Sequence, residues 1–328
     1  MRYLLHRIGF FVLTLWAAVT VNFLIPRLMP GDPASAMMAR FHGRVNPAAM
    51  HALEVAFGVD SSQSLGGQYV TYLHNTVTGN FGTSLTYFPL SVSTEIRQAL
   101  PWTLGLIGVA TIMAFVAGTL IGTVSGWRRG GVVDSVVPPV FVVTSALPYF
   151  WVGMMLILFF SVMTNGALPN DGAYEVTTIP SFSLSFVLDV LRHAVLPAAT
   201  ILITSIGAWI LTMRNNMVTV LAEDYVRMGR AKGLSNRQIM YQYAARNALL
   251  PNLTGFAMSL GFVVAGAILV EYVFNYPGLG YMLLNAVNNL DYPLMQALFL
   301  MITVAVLVAV LLCDFLTAWL DPRARSHS

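Results

Sequence analysis

SVVPPVFVVTSALPYFWVGMMLILFFSVMTNGALPN, residues 135–170, runs without a single Asp, Glu, Lys or Arg. The hydrocarbon core of a bilayer is about 30 Å thick and is crossed by about 20 apolar helical residues, so this stretch allows one crossing or two. Pro138, Pro139 and Pro148 would bend or break any helix running through it. The choice sets the fold, because every later segment changes sides with it.

Basic residues in short loops stay on the cytoplasmic side of a membrane. With one crossing, that side collects Arg2, Arg7, Arg128, Arg129, Arg214, Arg227, Arg230, Lys232, Arg237, Arg246, Arg323 and Arg325, which is twelve of the 17 bases. Arg27, Arg40, Arg44, Arg97 and Arg192 remain outside. Two crossings would strand the six bases of 214–250 outside, so one crossing is chosen.

Five further uncharged stretches, 8–26, 98–127, 194–213, 247–270 and 292–313, complete an all-α integral membrane protein with six spans and both termini cytoplasmic. Composition agrees: 57% of the 328 residues are hydrophobic, 9% are charged and mean hydropathy is +0.71. Arg2 and Arg7 before an apolar run resemble a signal peptide, but no small-residue cleavage site follows, and the segment is read as a retained helix. A net charge of +3 with scattered bases excludes a nucleic-acid binder, and Cys313 alone cannot form a disulfide framework.

Three domains follow: residues 1–28 hold the cytoplasmic N-terminus and first span, 29–97 an external segment, and 98–328 a five-helix core. Pro30-Gly31-Asp32-Pro33 stops the first helix, and the mixed composition after it suits either a small external cap or a long loop. Further external segments fall at about 165–193 and 272–291. External acids, among them Asp32, Glu54, Asp60, Asp171 and Asp291, are candidates to steer a basic surface.

Residues 222–250 carry the most specific local signal. Gly233 suits a left-handed helix stop, and Ser235 with Gln238 makes a capping box, so a hairpin of helices over 222–232 and 236–248 is expected. Ile239, Met240, Tyr243 and Ala244 share an apolar face on the second helix, opposite Arg237 and Arg246. That face either docks to a partner or packs on the chain's own bundle.

Enzyme signatures are missing. Lys232, the only lysine, lies between Ala231 and Gly233, which rules out a phosphate-cradling P-loop, and the six histidines lack metal-ligand spacing. Glu271 and Asp314 lie at span ends and are read as interface or bundle-capping groups. A proton-driven carrier is disfavoured, and a conduit powered by another subunit fits better. Thr111, Thr144, Ser145, Thr204, Ser205 and Ser259 are candidates to line its path, with Pro148 as a kink beside it. The alternative for each is a hydrogen bond between helices, with Gly105, Gly108, Gly118 and Gly122 allowing close packing.

The run Asp224-Tyr225-Val226-Arg227-Met228-Gly229-Arg230-Ala231-Lys232-Gly233-Leu234-Ser235, followed by Arg246-Asn247-Ala248-Leu249-Leu250-Pro251, resembles the cytoplasmic signature of binding-protein-dependent ABC importer permeases. Within them it is similar to the first of the two permeases of the dipeptide/oligopeptide branch. Pro30-Gly31-Asp32-Pro33-Ala34, Leu100-Pro101, Thr103-Leu104, Tyr276-Pro277-Gly278-Leu279-Gly280, Asp291-Tyr292-Pro293 and Leu320-Asp321-Pro322-Arg323 match in the same order, so the likeness covers nearly the whole chain.

Arg227, Met228 and Gly229 stand where the generic importer loop has Glu-Ala-Ala, and the interval to Pro251 is longer than in sugar importers, which makes a sugar substrate unlike this chain.

The resemblance implies a type I ABC importer transmembrane domain. In it the hairpin is a coupling helix that rests on an ATPase subunit, with Arg227, Arg230, Lys232, Gly233, Ser235, Arg237, Ile239, Met240 and Tyr243 as its contacts. It further implies a second permease, two ATPase subunits or domains, a soluble or lipid-anchored peptide-binding protein, and a bacterial inner-membrane location. ATP and Mg would sit on the partners, with no cofactor on this chain. Related nickel and glutathione importers, an ATP-independent transporter and an intramembrane enzyme remain as alternatives.

Overall fold

A computed structural model describes residues 2–28, 63–264 and 267–320, and among these the chain is helical, with one isolated bridge between Thr83 and Ser91. In order come α1 (Arg2–Leu28), α2 (Leu65–Thr78), α3 (Val92–Thr103), α4 (Val109–Trp127), α5 (Val132–Ser145), α6 (Tyr149–Ile157) and α7 (Leu184–Leu221). Then follow α8 (Asp224–Ala231), α9 (Asn236–Gln238), α10 (Arg246–Val263), α11 (Ile268–Val273), α12 (Leu279–Asn288) and α13 (Tyr292–Leu320). Three wider π-helical segments, Leu104–Gly108, Leu158–Val162 and Ile239–Ala245, continue α3, α6 and α9.

Helix starts follow local chemistry. Ser64, Ser91, Ser183 and Ser235 each accept a hydrogen bond from a first-turn backbone N–H, a contact that contributes about 1 kcal/mol per cap. Ser183 explains a difference from expectation. Helix α7 begins at Leu184, ten residues before the uncharged run 194–213, so the last part of the segment read as external, 165–193, is already helical. Within that added length His193 turns back on Asp189 one turn earlier, at 3.2 Å, so charge does not stop the helix.

Among the described residues, fewer helices than the six apolar runs are long and apolar enough on their own to cross a bilayer. The rods Arg7–Ile25, Val92–Trp127, Leu184–Leu221 and Tyr292–Cys313 are long and apolar enough to cross a bilayer, and α5 with the continuation of α6 makes a fifth as a pair bent by 99°. Pro148 sits at that bend in an extended conformation, while Pro138 and Pro139 are accommodated inside α5. The run 247–270 accounts for the shortfall from six. It yields α10, 18 residues or about 27 Å long, diluted by Asn247, Asn252, Thr254 and Ser259, with α11 as a separate short helix.

At the centre stands α7, packed by α4, α5, α6 and α10, while α10 also meets α13, and α13 meets α1. Gly118, Gly122 and Gly126 recur every fourth residue and share the face of α4 turned to α7. A Cβ at Gly122 would lie 2.6 Å from the Ile210 carbonyl oxygen and 2.8 Å from Met213 Cβ. Backbones therefore meet directly, the usual economy of helices in lipid. Gly105 faces open space and Gly108 only touches Val263, so they play no such part.

Of the external segment 29–97, residues 29–62 with Asp32, Glu54 and Asp60 lie outside the described residues. From 63 onward the chain is ordered on α1. Tyr69 and Tyr72 of α2 reach Thr20 at 2.7 Å and Asn22 at 3.0 Å, and their rings pack against Phe23.

Candidate functional site

The hairpin turn has the expected geometry. Gly233 stands at φ +74°, Ser235 accepts the Gln238 N–H at 3.3 Å, and the Gln238 side chain accepts the Ser235 N–H at 3.1 Å. Beyond the turn the expectation needs correction, because the second helix does not end near 248. It passes through the π-helical segment Ile239–Ala245 directly into α10.

The apolar face grouped by helical spacing turns to the chain's own bundle, the second of the two outcomes it allowed. Ile239 and Met240 are buried, Met240 in a core with Met213, Met217, Ala244 and Ala248. They leave the contact set anticipated for a partner, and Tyr243 is half-buried. Arg227, Arg230, Lys232, Gly233, Ser235 and Arg237 remain exposed.

The apolar groups on the exposed side of this region are Tyr225, Met228 and Tyr241, which a strict helical period did not single out. Val226 is fully buried and anchors α8. The Arg227–Asp224 pair, at 3.6 Å on an exposed surface, contributes little.

Gly229 has room for a methyl group, since a Cβ there would meet Leu234 at 3.5 Å and Ile239 at 3.9 Å, both ordinary contacts. Gly229→Ala is expected to raise stability by up to about 1 kcal/mol, read as a higher thermal midpoint in detergent. A lowered midpoint would mean the hairpin needs the extra backbone freedom.

At the same end of the bundle lies an ion pair that the sequence did not announce. Arg214 on α7 donates from Nε to Asp134 Oδ1 at 2.7 Å and from Nη2 to Oδ2 at 3.0 Å. The Ser125 hydroxyl, at 2.9 Å, and the Gly130 N–H, at 2.9 Å, complete the shell around the Asp134 carboxylate. This fork ties the α4–α5 turn to α7.

Deeper in the bundle, a cavity of about 410 Å³ opens between α4, α7 and α10, reached also by Tyr149 at the start of α6. Thr111, Ser205 and Ser259 line it, with Trp209, and none of its lining residues is Asp, Glu, Lys, Arg or His. The other three path candidates lie elsewhere. Thr144 donates to the Ile203 carbonyl at 3.1 Å and joins α5 to α7, Ser145 donates to Phe141 O at 2.7 Å, and Thr204 donates to Thr200 O at 2.7 Å.

At the opposite end two acids prove to be structural. Glu271, fully buried, accepts from Thr103 Oγ1 at 2.8 Å and from the N–H groups of Gly280 and Tyr281 at 2.7 and 3.2 Å. The run Tyr276-Pro277-Gly278-Leu279-Gly280 wraps this carboxylate at the start of α12, and a side chain at Gly278 would collide with it.

Asp291, also fully buried, caps α13 through the Leu294 N–H at 3.2 Å, and accepts from Thr86 N at 2.8 Å and from the Ser84 hydroxyl. It is thus removed from the acids proposed to steer a partner. Asp171 stays exposed, bonded to Asn275 at 2.7 Å.

Comparison with known proteins converges with this geometry. Residues 118–326 match the family model described as "Binding-protein-dependent transport system inner membrane component". The chain is 34% identical to the di/tripeptide transport system permease protein DppB of Pseudomonas aeruginosa over 98% of both chains. It is 31% identical to the dipeptide transport system permease protein DppB of Lactococcus lactis over 99% of both, and 32% identical to the oligopeptide transport system permease protein AppB of Bacillus subtilis over 98% of both.

Proposed function

The chain belongs to the family of binding-protein-dependent transport system inner membrane components, and from that premise we propose that it is the permease half of an importer of di- and oligopeptides. It is a multi-pass protein of the bacterial inner membrane, a permease subunit and not an enzyme. The observation that carries the peptide reading is end-to-end similarity, over 98–99% of both chains, to relatives named for peptide transport.

In this reading α10 with α11 supplies the sixth span, both termini are cytoplasmic, and 29–97 meets a peptide-binding protein outside. A second permease completes the path, and two ATPase subunits hydrolyse ATP. The exposed hairpin is the part they push. Arg227, Arg230, Lys232 and Arg237 offer charge there, Tyr225, Met228 and Tyr241 offer apolar contact, and Gly233 sets the turn. The cavity bounded by Thr111, Ser205 and Ser259 is this subunit's share of the path. Its volume is at the low end of the range for small-molecule pockets, about 300–1,000 Å³, which suits a short peptide.

The test is co-purification in mild detergent followed by ATP-driven uptake of labelled dialanine in proteoliposomes. Because no atom lies within 4 Å of a Cβ on Gly233, Gly233→Val strains only the turn, by about 1–2 kcal/mol, and leaves the bundle intact. Uptake is expected to be lost with membrane levels unchanged. Charge reversal at Arg230 and Arg237 together should weaken retention of the ATPase. Undiminished uptake in the glycine variant, with full ATPase retention in the other, would refute the hairpin's role.

A further inference from the structure

Thr111, Ser205 and Ser259 share the cavity wall, and one helical turn from each stands an aromatic ring: Phe115 on α4, Trp209 on α7 and Phe256 on α10. The step is four residues forward on α4 and α7 and three residues back on α10, which runs the other way. All three steps therefore lead in one direction, toward the end that holds Arg214, Asp134 and Arg246. The rings meet there. Phe115 and Phe256 stack with centroids 4.1 Å apart, Trp209 meets Phe115 edge-on at 5.3 Å, and Trp209 lies 6.4 Å from Phe256. Trp209 alone of the three lines the cavity, so its ring separates that space from the two phenylalanines.

We propose that Phe115, Trp209 and Phe256 form an apolar barrier on the cytoplasmic floor of the cavity, with Trp209 as the ring that must turn aside before a peptide leaves. The assignment of "floor" rests on the orientation given under the proposed function; the barrier itself rests on the rings. Contacting rings exclude water, and a constriction of apolar groups blocks hydrated solutes without any charge. All three rings are half-buried, as suits groups facing a path rather than a sealed core. Room for movement exists beside them. Gly255, next to Phe256, bears no side chain, and a Cβ there would meet the Trp209 ring at 3.6 Å. A peptide held above this floor meets the hydroxyls of Thr111, Ser205, Ser259 and Tyr149 and no charged group of this chain, which points to contact with its uncharged backbone.

Cys313 is the sole cysteine, so Cys313→Ser with Ser205→Cys places one thiol in the cavity of this chain. The assembled transporter is prepared without nucleotide in inside-out and right-side-out vesicles and treated with a membrane-impermeant maleimide. Modification at residue 205 is followed by mass spectrometry of this chain. Adding Trp209→Ala removes two ring contacts and is expected to speed labelling from the cytoplasmic side by about tenfold. Phe256→Ala should act the same way, and Trp209→Phe should keep the slow rate.

Equal rates in all four proteins, fast or slow, would overturn the barrier. A dependence on Trp209 seen only from the external side would support the barrier and overturn the orientation. Dialanine uptake by the parent protein, measured separately, tests the transport reading itself.

Discussion

Asp134→Ala is expected to destabilise the permease by about 3 kcal/mol, enough to deplete it from the membrane. The carboxylate has a side chain only 6% exposed and draws two charge-assisted bonds from Arg214, with Ser125 and Gly130 filling its other positions. Removing it strands a guanidinium against the α4–α5 turn. Breaking one partner of a buried pair costs about 3–5 kcal/mol, and the lower figure applies because the Arg214 side chain keeps 26% exposure and finds water.

The double variant Asp134→Ala, Arg214→Met leaves no unpaired charge and should recover most of the loss. Thermal midpoints of the two proteins in one detergent decide the matter. A double variant no better than the single one would show that the fork itself, rather than the stranded charge, holds the turn.

Gly122→Leu should be the most damaging substitution on the α4–α7 seam. The first added carbon would lie 2.6 Å from one backbone atom of α7 and 2.8 Å from Met213 Cβ, and neither belongs to the far end of a flexible side chain. Overpacking ordinarily costs about 1–3 kcal/mol when side chains can yield, and here the rods must part, so a loss above about 3 kcal/mol is expected. Gly105→Ala, where nothing lies within 4 Å, is the control and should stay within about 1 kcal/mol of the parent. If both variants accumulate equally in the membrane, the glycine seam is not what joins the two helices.

These two sites differ in how far the sequence announced them. Uninterrupted apolar runs marked the rods at 8–26, 98–127, 194–213 and 292–313 because a bilayer demands length and greasiness together. Gly233, Ser235 and Gln238 marked the hairpin because its turn is built from neighbours. Pairings between distant residues left no such trace. Asp134 and Arg214 are 80 positions apart, and the charge count that places Arg214 on the cytoplasmic side gives it no partner. Glu271 reads from the sequence as an interface or bundle-capping group and Asp291 as an external acid, and neither reading names the backbone donors wrapped around them.

Periodicity grouped the hairpin's apolar face correctly, but what covers that face is a matter of distant packing. Ile239, Met240 and Ala244 turn inward on the chain's own bundle, and Tyr225, Met228 and Tyr241 are the exposed apolar groups. Among the six hydroxyl candidates, only packing could separate Thr111, Ser205 and Ser259, which line the cavity, from Thr144, Ser145 and Thr204, which do not.

The glycine face of α4 has a mechanical corollary. Two rods meshed main chain against main chain at three successive turns have no lateral play, so they travel as a single strut. Any stroke that reshapes the path has to be taken up along a softer seam. One lies between this strut and α10, where contact is carried by side chains such as Asn252 on Thr119 and Phe256 on Phe115. In the proposed function a push on the hairpin enters α10 without interruption, and it therefore arrives at a neighbour of the strut that side-chain contacts hold.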